Sequence, residues 1–182
     1  MNKLEQYKIE TPKLNKDMLE FVSAIITNKQ GNVLILKRRE NLKLDPSKYD
    51  LCSGHMKEGE NPIYSMLREL EEELNLSLEK INSIESIGII PTPHNKFPNT
   101  KCHMYHVMIN LTEEQINEMI KHASEPEIEE AIYLKDLDVL RDLKKNSNLF
   151  RTTYNEDVER MFKKIEKIIQ RKNKKEEKCE ER

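Results

Sequence analysis

The spacing of apolar and polar positions divides the chain into short strands and amphipathic helices. Phe21-Val22-Ser23-Ala24-Ile25-Ile26 is rich in residues that favour strands. Asn28-Lys29-Gln30-Gly31-Asn32 is turn chemistry, and Val33-Leu34-Ile35-Leu36 returns as a second strand, so residues 21–39 are expected to form a hairpin. Residues 40–50 are polar, include Pro46 and read as a loop. Leu51-Cys52-Ser53 reads as a short strand running into Gly54. Ile84 to Ile90 reads as a strand that stops at Pro91. Residues 91–101, with three prolines, read as a loop. Cys102 to Asn110 is strand-like, with Tyr105, Val107 and Ile109 on one face. Residues 128–134 form the last expected strand.

Four segments carry helical periodicity. Asn61 is a good N-cap and Pro62 suits the first helical position. Ile63, Met66, Leu67, Leu70 and Leu74 then fall on one stripe, which predicts a helix over 62–74. Thr112 with Gln115 has the pattern of a capping box that opens a short helix. Residues 136–143 read as another. A C-terminal helix is expected from about Asn155, with Val158, Met161, Phe162, Ile165, Ile168 and Ile169 on its apolar face. Strands alternating with helices predict an α/β or α+β sandwich. No internal repeat is visible. At 182 residues the expectation is one domain over residues 1–170, with segment 1–19 and helix 155–170 packed on it. Ten of the twelve residues 171–182 are charged, and this tail is expected to be disordered.

Charge narrows the choice of partners. The 31 basic and 33 acidic residues leave a formal charge of −2, which argues against a protein wrapped in nucleic acid. No run of 18 apolar residues occurs, so no membrane span is expected. No apolar stretch follows Met1–Gln6, so no secretory signal is expected either. Cys52, Cys102 and Cys179 match no zinc spacing, and an odd number makes a poor disulfide framework. The expected location is therefore reduced and cytoplasmic. Whether the chain forms a homodimer is not derivable from this pattern.

The informative chemistry lies between Gly54 and Leu76. Glu69, Glu72 and Glu73 are spaced i, i+3 and i+4, so on a helix they share a face about 125° from the apolar stripe. Glu69 and Glu73 are like charges one turn apart, at a cost of roughly 0.2–0.5 kcal/mol. They also sit near the helix C-terminus, where the macrodipole disfavours anions. No lysine occurs in residues 62–76 to relieve them. A cluster that breaks local rules in this way suggests a site, and a divalent cation is the simplest relief.

The full spacing, Gly54-x5-Glu60-x7-Arg68-Glu69-Leu70-x-Glu72-Glu73-x-Asn75-Leu76, closely resembles the Nudix box. Every fixed position matches except the last glycine, which is Asn75 here. That position follows the helix and needs a left-handed conformation, for which asparagine is the best substitute. The resemblance extends over roughly residues 20–143. It takes in a hairpin ending in arginines upstream and the acidic segment Glu127 to Leu134 downstream.

The resemblance implies a Nudix α/β/α sandwich with a mixed central sheet and a C-terminal helix. It implies Mg²⁺- or Mn²⁺-dependent hydrolysis of a nucleoside diphosphate linked to another moiety, a small nucleotide-type substrate. Carried over by position, Glu69, Glu72 and Glu73 are metal ligands, joined by the Ser53 carbonyl. Glu69 and Glu73 are the catalytic candidates, and Glu69 also orients or deprotonates the water. Gly54, Glu60, Arg68 and Asn75 are structural parts of the motif. Glu127 and Glu130 are candidates for a general base outside the box.

Other residues have weaker claims. Arg38 and Arg39 end a strand and are candidates to contact phosphate, and His55 is a candidate within the loop. His103 and His106 alternate along one strand, point to opposite faces and are expected to serve packing or surface roles. Phe97 is a candidate to stack on a base. Two other readings remain open. An isopentenyl-diphosphate isomerase-like enzyme would place chemistry at Cys52, though its cysteine would be displaced by one residue. A non-catalytic nucleotide-binding Nudix-fold protein would be expected to show an eroded box.

Overall fold

The computed structural model describes residues 19–91, 100–146, 148–150 and 156–180. Seven strands run as β1 (Glu20–Thr27), β2 (Val33–Arg38), β3 (Tyr49–Asp50), β4 (Cys52–His55), β5 (Ile81–Pro91), β6 (Lys101–Ile109) and β7 (Ile128–Leu134). Four helices join them: α1 (Pro62–Leu74), α2 (Glu113–Ile120), α3 (Leu137–Asn146) and α4 (Glu156–Glu180). A 3-10 turn occupies Leu78–Lys80.

The sheet is mixed, in the order β3-β2-β1-β6-β5, with β4 also pairing β1 and β7 also pairing β2. β1 and β6 are parallel; the other pairings are antiparallel. The expected hairpin is only partly formed. β1 and β2 pair at Ile26–Leu34 and Thr27–Val33 and then splay apart. Beyond that point β4 takes the place beside β1 and β3 the place beside β2, while β7 runs along the opposite edge of β2. Local turn chemistry sets the reversal, but the fork is decided by which later strands fill the gap.

Alternation along the strands sorts the core into two layers. Val22, Ala24, Ile26, Leu34, Leu36, Tyr105 and Val107 pack under α1 and α2. Ile25, Val33, Ile35, Cys102 and Met104 pack under α3 and α4, against Leu140, Phe162 and Ile165. The result is an α/β/α sandwich. Arg141 of α3 binds Glu159 at 2.9 Å and Glu166 at 2.5 Å, fastening α3 to α4. The helix α4 continues through residues 171–180, where the charged composition predicts a disordered tail. Lys and Glu are strong helix formers, and they extend the helix even without an apolar stripe.

Several local expectations hold. The Asn61 side chain accepts from Ile63 N at 3.0 Å, with Pro62 following. Thr112 and Gln115 form the reciprocal capping box. Asn75 adopts φ 52°, ψ 33°, and its N–H and that of Leu76 close the helix onto Glu71 O and Leu70 O. Phe97 and residues 1–18 lie outside the described residues. Among the described residues no helix is long and apolar enough to cross a membrane.

Candidate metal centre

α1 lies against β4, and the closeness of the two elements defines the site. A Cβ at Gly54 would overlap the carboxylate of Glu69. Glycine is required here by space, since its backbone conformation is one other residues adopt. Glu69 is thereby held 5% exposed, between strand and helix. Burial raises its carboxyl above the ordinary range, Arg68 opposes this, and Glu72 and Glu125 add to it.

Arg68 is the brace of the loop–helix unit. Its Nε donates to Glu60 Oε1 at 2.9 Å, and Nη2 donates to His55 O at 2.8 Å. Nη1 meets Glu69 Oε1 at 2.6 Å and Glu72 Oε2 at 2.5 Å. Burial would lower the Arg68 pKa, but Glu60, Glu69 and Glu72 outweigh it and hold the guanidinium charged. Glu60 is fixed in turn by Ser65 Oγ at 2.5 Å and Lys57 N at 2.8 Å. Against its burial, these donors and Arg68 lower its pKa. Lys57 Nζ lies 3.4 Å from Glu72. The relief that lysine does not supply within the helix therefore comes from Arg68 and from the preceding loop.

The three box carboxylates do not form one group. Glu69 and Glu72 converge with Glu125, and one oxygen of each lies within 4.8 Å of the others. Glu73, 7% exposed, turns inward, where Ser53 N donates to its Oε2 at 3.3 Å. Burial pushes its carboxyl up to about 8, with the Cys52 thiol and the Ser53 N–H opposing and Glu69 and Asp50 adding to the shift. Cys52 is 1% exposed, and burial and Glu73 raise its thiol well above the ordinary range. It is an inert, sealed thiol.

Glu125 is the residue sequence reasoning missed. It is 52 positions beyond Glu73 and belongs to no helix or strand. Its main-chain N–H donates to Glu72 O at 2.9 Å, which pins the segment after α2 to the end of α1. The only signal for it in the sequence is the acidic stretch 125–130, which marks Glu125 no more than Glu127 or Glu130. Glu127 is engaged elsewhere, with Arg38 Nη1 at 3.1 Å from its Oε2. Glu130 pairs in register with Lys37 on the exposed part of β7.

Arg38 is 5% exposed, and its Nη2 also donates to Leu44 O at 3.4 Å. Arg39 Nε donates to Ile128 O at 3.2 Å. Both arginines thus anchor the lead-in to β7. His55 is exposed and packs its ring 4.3 Å from that of Phe21. His106 is fully buried, with Nε2 2.8 Å from Thr27 Oγ1, and serves the core as expected.

The site is thus a carboxylate-bearing helix wedged against a glycine of the neighbouring strand, within an α/β/α sandwich. The NUDIX domain family matches residues 20–153, so the chain belongs to the Nudix family. Solved structures agree on the fold. A Deinococcus radiodurans protein aligns with TM-score 0.57 at 20% identity over 83% of this chain and 85% of its own. A Caenorhabditis elegans Ap4A hydrolase aligns with TM-score 0.57 at 12% identity, over 83% and 97%. The MutT protein of Methanosarcina mazei aligns with TM-score 0.51 at 20% identity, over 88% and 99%. No curated protein matches the chain in sequence.

Proposed function

We propose that the protein is a Mg²⁺- or Mn²⁺-dependent hydrolase that cleaves the diphosphate linkage of a nucleoside diphosphate joined to another moiety. The observation that carries this reading is the convergence of Glu69, Glu72 and Glu125. Three carboxylates within ligand distance fit a hard, oxygen-seeking divalent cation. Such a cation, when bound, neutralises the phosphates and lowers the pKa of a bound water. Glu69, Glu72 and Glu125 would hold it, with the Ser53 carbonyl a fourth candidate. Glu69, raised by burial and close to Arg68, is the group best placed to take a proton from water. Glu73 acts from behind, holding β4 against α1 through Ser53 N.

Arg38, Arg39 and His55 remain candidates for substrate contact, and Glu127 and Glu130 for the base. The isomerase reading loses support, because the Cys52 side chain is sealed against Glu73 and out of reach of a substrate carbon. The buried free thiols of Cys52 and Cys102 fit a reduced, cytoplasmic setting. The test is a panel of ADP-ribose, nucleotide sugars, dinucleoside polyphosphates and oxidised nucleotides assayed by phosphate-coupled release. Turnover with Mg²⁺ or Mn²⁺ that stops in excess EDTA is the expected result; full activity in EDTA would sink the reading.

A further inference from the structure

The register across the sheet carries a second polar pair to the neighbourhood of the carboxylates. Gly54 pairs with Val22, Val22 with His103, and His103 with Ile89, across β4, β1, β6 and β5. Residues directly paired across strands share a face. Val22 packs in the layer under α1, as do Ala24, Tyr105 and Val107, so His103 faces α1. Position 54 faces it too, since its absent Cβ would meet Glu69. Two strand spacings put the His103 backbone roughly 10 Å from Gly54. Along this row the cover thins. Val22 is 0% exposed, the His103 side chain 17% and Ile89 55%.

His103 is held in a defined orientation. Its Nε2 lies 2.8 Å from Glu20 Oε2, and the Glu20 side chain is only 15% exposed. A carboxylate accepts and does not donate, so Nε2 carries the proton and Nδ1 is left as the second polar atom of the ring. Among the described residues nothing bonds to Nδ1. Glu20 is anchored in turn, because Met56 N donates to its carbonyl at 3.0 Å. A half-buried histidine with one nitrogen fixed and one open, beside an exposed apolar side chain, is equipped to read a polar group on a ligand.

Distance selects which part of the ligand. A diphosphate held at Glu69, Glu72 and Glu125 spans only a few ångströms, and His103 lies two strands from Gly54, against which Glu69 packs, so what reaches it is the moiety joined to the diphosphate. We propose that His103, oriented by Glu20, contacts the moiety attached to the diphosphate and sets which substrate the protein accepts. Nδ1 accepts a hydrogen bond from a hydroxyl or amide of that moiety, and Ile89 forms an apolar wall. Glu20 is a positioning residue. This rests on the hydrolase reading given above.

The test takes the substrate hydrolysed best in the panel and compares wild type with His103→Ala, Glu20→Ala and Glu20→Gln. His103→Ala is expected to raise KM about tenfold, the value of one lost hydrogen bond, with the loss falling on KM more than on kcat. Its preference over the next-best substrate should shrink with it. Glu20→Ala should show part of this loss, and Glu20→Gln, whose amide oxygen still accepts from Nε2–H, should recover it. Addition of an α,β-methylene analogue should shift the ¹⁵N resonance of His103 Nδ1. The metal-induced rise in Tm serves as the control that fold and carboxylates are intact in each variant. If wild type turns over but KM, preference and the Nδ1 resonance stay unchanged, the proposal is overturned and the hydrolase reading stands. If wild type hydrolyses nothing in the panel, the hydrolase reading fails and the proposal fails with it.

Discussion

Gly54 and Glu69 occupy the same space by turns: where one would place a Cβ, the other places its carboxylate. Gly54→Ala must therefore move Glu69 or spread β4 from α1. The expected cost is about 1–3 kcal/mol in urea unfolding, as for other overpacked sites. A clear weakening of Mn²⁺ binding by calorimetry should accompany it. Unchanged metal affinity would show that Glu69 is free to relocate. The roles of Gly54, Glu60 and Arg68 were legible because they lie within one short stretch whose spacing maps onto one loop and one helix. Glu125 was not legible, because nothing local marks a loop carboxylate that the chain brings back after α2. The inward turn of Glu73 was hidden for a related reason. Helical spacing places Cβ atoms on a face, but the neighbouring strand decides which way a long side chain leans.

At the scale of elements, α1 depends on its end. Asn75 sits in the left-handed region that most side chains avoid. Asn75→Ala should cost about 1 kcal/mol, and Asn75→Gly should stay within about 0.5 kcal/mol of wild type or exceed it. Chemical denaturation of both variants measures this; equal losses would show that the cap geometry does not limit stability. α3 carries a different liability. Lys144 is 5% exposed, with Nζ 5.0 Å from the Phe150 ring centroid, and burial pushes its pKa down to about 8 against the pull of Asp50. In the unfolded chain it titrates near 10.4. Between about pH 8 and 10.4 the unfolded chain binds a proton that the folded one lacks, so this group's contribution to stability rises with pH across that window. Below pH 8 the cost of burying the charge is present in full. Relative to Lys144→Met, wild type should therefore gain on the order of 2–3 kcal/mol from pH 8 to pH 10.4. A flat difference over that range would mean that the amine reaches solvent.

A divalent cation bound at the proposed centre is expected to stabilise the whole molecule. A metal that binds only the folded state stabilises it by RT ln(1 + [L]/Kd), about 2.7 kcal/mol at a hundredfold excess. For a domain of this size that is roughly 5–10 °C in Tm. Mn²⁺ should act at lower concentration than Mg²⁺, which gives up its waters reluctantly. Changing Glu69, Glu72 and Glu125 together to Gln should abolish the shift. Glu69, Glu72 and Glu73 changed together should retain less of it than Glu73→Gln alone, since Glu73 stands outside the converging group. A flat Tm, with metal and a non-hydrolysable analogue both present, would remove the cation from the account.

The sequence by itself determined whatever depends on neighbours in the chain. The stripe of α1, its Asn61 and Asn75 caps, the capping box of α2 and the box residues around Arg68 follow from spacing, since a helix closes its contacts within four residues. The parity of β6 was legible in the same way, and with it the opposite faces of His103 and His106. Tertiary structure decided what depends on distant partners. β3 exists because Leu36 and Lys37 offer it an edge, and β5 runs from Ile81 rather than Ile84 because β6 pairs along its whole length through two bulges. The fork of β1 from β2, the arrival of Glu125 beside Glu69 and the row from Gly54 to His103 have the same origin. Strand pairing joins segments tens of residues apart, and a strand's own sequence records which face it buries but not which strand will lie beside it.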